Sequence, residues 1–93
     1  TIIMHDAIVN ANAMIGNNCI INNKVLIEHD VAVGDHCHIA TGAIVNGDVT
    51  IGNESFVGSG AVTNHSISIG NSCIIGAGVV VKTDVESNQF IKN

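Results

Sequence analysis

The sequence predicts an all-β protein: a parallel β-helix shaped as a triangular prism, in which three six-residue units complete one coil. Three observations carry this. Written in sixes from Ile3, every unit begins with Ile or Val except the one that begins at Thr63. Gly16, Gly34, Gly52 and Gly70 fall every eighteen residues, and Gly58 and Gly76 keep the same interval. The chain is 46% hydrophobic but has no proline and only two aromatic residues, Phe56 and Phe90. Its apolar content is therefore Ile, Val and Ala, which suit short, tightly stacked strands. Neither an amphipathic helix nor an alternating strand sustains a six-residue period this long; a stacked solenoid does.

The units run in order as IMHDAI, VNANAM, IGNNCI, INNKVL, IEHDVA, VGDHCH, IATGAI, VNGDVT, IGNESF, VGSGAV, TNHSIS, IGNSCI, IGAGVV and VKTDVE. Residues 3–86 thus form the β-helix and 87–93 a C-terminal tail. Each unit supplies one short strand along a side of the prism. Its first residue and its small fifth residue point inward, and its third and fourth turn the corner. The corner pairs Asn17-Asn18, His29-Asp30, Thr41-Gly42, Gly47-Asp48, Asn53-Glu54, Ser59-Gly60 and Asn71-Ser72 have the chemistry that tolerates left-handed backbone angles. With coils about 4.8 Å apart, the column is roughly 22 Å tall. Cys19, Cys37 and Cys73 fit the eighteen-residue interval and read as small inward residues, not as a disulfide framework. Without a signal peptide or a long apolar run, a reducing, cytoplasmic setting is expected. The flat outer faces need covering, which predicts an oligomer.

Net charge is −5, with Lys24, Lys82 and Lys92 as the only basic side chains besides histidine. That balance argues against nucleic acid as a partner, and the regular polar interruptions argue against a membrane span. Any phosphate-bearing ligand must be held by backbone amides, by these lysines or by residues outside the chain.

Histidine is where the repeat stops being uniform. His29 stands third in its unit with Asp30 directly after it, a pairing that orients an imidazole for general-base work but also occurs as an ordinary polar turn. His38 occupies an outward sixth position, where most units carry an aliphatic residue or Thr. A corner and about half a side separate it from His29, so the two rings are expected well over about 10 Å apart within one chain and could meet only across subunits. An interface histidine without chemical role is the alternative for His38. His5 and His65 read as solvated corner residues, and His36 carries no assignment.

These residues resemble a known family. The hexads, and above all INNKVLIEHDVAVGDHCHIATGAIVNGDVTIG followed by IGAGVVVKTDV, resemble the left-handed β-helix domain of the hexapeptide-repeat acyltransferases. Asn22, Glu28-His29-Asp30 and His38 at this spacing are most similar to the UDP-4-amino-sugar N-acetyltransferases of bacillosamine pathways and their sialic acid O-acetyltransferase relatives. The resemblance implies left-handed coiling, acetyl-CoA as co-substrate, no metal, and a homotrimer with active sites between subunits. It implies His29 as the base that deprotonates the sugar amine during direct transfer, and Asp30 as its orienting acid. His38 would line the acetyl pocket, and the Gly47 amide would donate to the thioester oxygen. Gly76, Ala77 and Gly78 would admit the pantetheine arm, and Asn22 would face the nucleotide-linked sugar. Family members of this type usually begin with a separate nucleotide-sugar-binding domain, which has no counterpart here, so a trimmed form of a longer enzyme is expected.

Two other readings use the same fold. A γ-carbonic-anhydrase-like zinc enzyme would draw on His29, His36 and His38, although their spacing does not resemble that family's ligand pattern. A non-catalytic assembly solenoid would need none of the histidines.

Overall fold

The computed structural model describes all residues, Thr1–Asn93, and contains strands and turns but no helix. No helix is long and apolar enough to cross a membrane. Fifteen two-residue strands form three parallel sheets. Sheet A stacks Ile2–Ile3, Ile20–Ile21, His38–Ile39, Phe56–Val57, Ile74–Ile75 and Phe90–Ile91. Sheet B stacks Ile8–Val9, Leu26–Ile27, Ile44–Val45, Val62–Thr63 and Val80–Val81. Sheet C stacks Met14–Ile15, Ala32–Val33, Thr50–Ile51 and Ser68–Ile69. The chain visits A, B and C in turn, giving about five coils of a left-handed parallel β-helix measuring 27 × 22 × 20 Å.

The expected inward positions form the core. First-position residues Ile21, Ile27, Ile39, Val45, Ile51, Val57, Ile69 and Ile75 are all at most 1% exposed, and fifth-position Val25, Val31, Ala43, Val49 and Ala61 lie between them. Burying each Ile or Val contributes roughly 1.5–3 kcal/mol, and the β-branched side chains lose little freedom in doing so. Cys19, Cys37 and Cys73 belong to this core. Cys19 and Cys37 donate their thiols to the carbonyls of Gly34 and Gly52 one coil on, at 3.1 and 3.0 Å. Burial pushes the Cys37 thiol up, which keeps it an inert packing group.

The corners are sharper than the sequence suggested. Left-handed φ falls on the fourth position of each unit, from Asp6 at 60° through Gly78 at 69°. The third position does not share it. At the corner between sheets C and A, each third-position amide is satisfied by the coil above: Asn17 N–H donates to Asp35, Asp35 to Asn53 and Asn53 to Asn71, each at 2.8 Å.

The eighteen-residue register, as in Phe56 with Ile74, tightens at the C-terminal end. Ile69 bridges Val85 and Ile74 pairs with Phe90, each a step of sixteen residues. The coil thus runs into the segment expected as a tail.

The three outer faces differ. Sheet B presents only aliphatic side chains, Ile8, Leu26, Ile44, Val62 and Val80, and sheet A presents Ile20, Phe56 and Ile74 with His38 among them. Sheet C is mixed, with Met14 and Ala32 on the first coils and Thr50 and Ser68 on the later ones.

Candidate active site

His29 leaves sheet B after Ile27 and enters the corner between sheets B and C. Asp30, in the left-handed region at φ 59°, turns its carboxylate back to accept the His29 Nδ1–H at 3.1 Å. A carboxylate accepts only, so the ring proton sits on Nδ1 and the Nε2 lone pair is free. Both side chains are about half exposed, at 51% and 48%, which leaves the pair open to a ligand. The hydrogen bond to Asp30 raises the His29 pKa above the ordinary histidine value; desolvation opposes the rise, and the charges of Asp30, Asp48 and Glu28 reinforce it. Glu28 is itself held by Asn10 Nδ2 at 2.7 Å.

Nε2 points at Gly47, one coil on at the same corner. A Cβ on Gly47 would lie 2.5 Å from His29 Nε2 and 3.0 Å from Nε2 of His65, which stands one coil further. The His29 and His65 rings lie 6.0 Å apart at 56°. His65, expected as a solvated corner residue, therefore faces His29 across the gap that Gly47 leaves. Its distance of thirty-six residues from His29, two full coils, was the signal in the sequence. The Gly47 N–H donates to no backbone carbonyl and remains available.

His38 lies elsewhere. It projects from sheet A, the side of the prism opposite the His29 corner. It meets Asn22 Nδ2 through Nε2 at 3.4 Å and the edge of Phe56 at 5.2 Å between ring centres. Asn22 and the Gly76-Ala77-Gly78 segment flank the corner between sheets A and B, three coils apart. One chain thus carries two groupings: His29, Asp30, Gly47 and His65 at one end of sheet B, and Asn22 with His38 beyond the other.

The three histidines considered for zinc do not converge, because His36 turns the corner between sheets C and A. The ligand atoms that do approach, within 4.8 Å of one another, belong to the exposed His29, Asp30 and Asp48. Asp30 is already engaged by His29 Nδ1.

Fold and site define a hexapeptide-type left-handed β-helix that carries an imidazole–carboxylate pair at a solvent-open corner. Residues 12–47 match the bacterial transferase hexapeptide (six repeats) family, and residues 48–83 match the hexapeptide repeat of succinyl-transferase. Residues 12–83 are thus built from hexapeptide repeats of the kind found in bacterial transferases. No curated protein matches it significantly.

Among solved structures, PerB from Caulobacter crescentus, in complex with CoA and GDP-perosamine, is 33% identical with a TM-score of 0.90, over 91% of this chain and 41% of that one. A mutant of that organism's perosamine N-acetyltransferase with one histidine replaced by asparagine, also holding CoA and GDP-perosamine, matches at 33% identity and a TM-score of 0.87, over 90% of this chain and 40% of that one. The acetyltransferase domain of PglB from Neisseria gonorrhoeae FA1090, in complex with acetyl coenzyme A, is 28% identical with a TM-score of 0.81, over 99% of this chain and 48% of that one. The chain therefore spans less than half the length of each.

Proposed function

We propose that this chain is the β-helix of a cytoplasmic, acetyl-CoA-dependent acetyltransferase. It transfers the acetyl group directly to the amino group of a nucleotide-linked amino sugar of the UDP-4-amino type. The observation that carries the reading is the His29–Asp30 pair with Nε2 aimed across Gly47. Its likeness to sugar N-acetyltransferases holding CoA and a nucleotide sugar supports the substrate class.

The chemistry follows from the residues. Asp30 fixes the Nδ1–H tautomer, and Nε2 accepts a proton from the amine as its lone pair attacks the thioester carbonyl. The new C–N bond forms while negative charge grows on the carbonyl oxygen, and the free Gly47 N–H is placed to receive it. Collapse breaks the C–S bond; the departing CoA thiolate takes the proton from His29. Holding both substrates in one cleft removes the need for a covalent enzyme intermediate.

A homotrimer would complete the cleft. With sheet A of one subunit on sheet B of the next, the aliphatic face of sheet B is covered and sheet C stays in water. A head-to-tail contact of this kind closes as a ring of three when each subunit is turned by a third of a circle from the last. It also brings His38, Asn22 and the Gly76-Ala77-Gly78 segment of one subunit toward the His29 corner of its neighbour.

Replacing His29 by Ala tests the reading. Turnover of acetyl-CoA with an amino-sugar nucleotide should fall by about 10²–10⁴-fold, the range for loss of a general base. Subunit assembly and acetyl-CoA affinity should hold. Turnover near wild type would remove His29 as the base.

A further inference from the structure

We infer that His65 is a second base at the same acceptor atom, and that it converts a bound ammonium group into the amine that His29 then activates. The inference rests on the acetyltransferase reading above and adds a residue and a step to it.

Both Nε2 atoms lie within 3.0 Å of one point, the place a Cβ of Gly47 would occupy. That point is within bonding distance of the Gly47 Cα and is closed to a ligand, but it puts the two Nε2 atoms no more than 5.5 Å apart, a span that one nitrogen on the solvent side of Gly47 can bridge with two hydrogen bonds. Gly47 is the only residue between the two histidines in this column of the corner, and it contributes no side chain. Both rings are exposed, so either can pass a proton to solvent. The titratable groups on this corner are Glu28, His29, Asp30, Asp48 and His65, with Lys82 and Asp84 on the coil beyond. Three carboxylates thus surround His29 with a potential that favours a cation.

A primary amine arrives at neutral pH as R–NH₃⁺ and must lose two protons to become an amide. One imidazole takes one of them. His65 Nε2 accepts the first, giving R–NH₂ and His65-H⁺, and His65 releases that proton to water. The freed lone pair attacks the thioester carbonyl while His29 Nε2 takes the second proton. The C–S bond breaks, and His29-H⁺ returns its proton to the CoA thiolate. A hydroxyl acceptor has one proton to lose and needs one base, so the second imidazole marks the site as one for cationic amines.

The test compares wild type, His65→Leu and His65→Gln with acetyl-CoA and either GDP-perosamine or a UDP-4-amino sugar, across pH 6 to about 9.5. Both variants should lose at least about tenfold in kcat/KM for the acceptor at pH 7, and recover most of it where the acceptor amine is already neutral. The KM for acetyl-CoA should stay within about twofold. An unshifted pH profile for His65→Leu overturns the proposal, and so does recovery by Gln, which can hydrogen-bond but not act as a base. His29→Ala reports separately on the underlying reading: loss of turnover there beside a normal His65→Leu sinks only the second base. If wild type acetylates neither acceptor, both fall.

A second measurement needs no acceptor. Zn²⁺ titrated into the chain, followed by the histidine ring resonances, should shift His29 and His65 together with one affinity. His65→Leu should weaken that binding by about tenfold or more, since two imidazoles become one. Independent responses of the two rings would mean that their Nε2 atoms do not share the gap, and would refute the inference.

Discussion

Replacing Gly47 by Ala separates what holds the fold from what does the chemistry. Gly47 is outside the left-handed region, so its backbone accepts a side chain without strain. The new Cβ would stand 2.5 Å from His29 Nε2 and 2.7 Å from Cε1, where ordinary contact begins near 3.4 Å. The imidazole must therefore retreat by roughly 1 Å, and a displacement of that size at a reacting group costs about 10²-fold in rate. The ring is half exposed and can swing into water, so the coils stay together. Alanine also narrows the unfolded ensemble by about 0.4–1 kcal/mol, which leaves net stability within about 1 kcal/mol of wild type. Gly52→Ala is the contrast. Its Cβ would meet the carbonyl carbon of Gly70 at 2.6 Å and the nitrogen of Asn71 at 2.7 Å. These are backbone atoms of the next coil, which cannot move off without breaking the ladder, so a loss of about 1–3 kcal/mol or more is expected. The assay pairs thiol release from acetyl-CoA with thermal melting of the same samples. Gly47→Ala should melt near wild type with little turnover, while Gly52→Ala should melt lower by several degrees. Wild-type turnover in Gly47→Ala would refute the claim that His29 works from its seat over Gly47.

The remaining predictions concern pH, stability and assembly. Protonated His29 cannot act as a base, and its pKa is raised chiefly by the hydrogen bond to Asp30, so the acid limb of kcat/KM should lie above about pH 6.5. Asp30→Asn should move that limb to lower pH, as read from the pH–rate profile and the His29 ring resonances; an unmoved limb would mean that Asp30 does not set it. Thr63 is 0% exposed and its hydroxyl has no partner, so Thr63→Val should stabilise by about 1–2 kcal/mol in denaturant unfolding. If the proposed trimer forms, Phe56→Glu on sheet A should dissociate it in light scattering and Ser68→Glu on sheet C should leave it intact; the reverse pattern would place the interface elsewhere.

The prism was legible because its rule is local. Ile or Val at the first position and a small residue at the fifth already say which side chains are buried, and Cys19, Cys37 and Cys73 follow that rule. Thr63, the one exception among first positions, keeps its place in the core despite its hydroxyl. The site was legible only in part. His29 and Asp30 are adjacent in sequence, so their hydrogen bond could be anticipated. His65 looked like His5, because a single unit does not reveal what stands two coils below it. The shortened register at Val85 was hidden for a related reason: VKTDVE keeps the hexad pattern while Asp84 no longer turns the corner with a left-handed φ.

That register also sets how substitutions influence one another. A residue in this prism touches its counterparts one coil above and below more intimately than most of its sequence neighbours, as Asn53 does with Asp35 and Asn71. Pairwise mutational coupling should therefore recur at separations of eighteen residues along each column, and at sixteen once the chain passes Val81. Read in this way, a map of non-additive effects would trace the three columns of the prism without any coordinates, and the change from eighteen to sixteen would mark where the repeat ends.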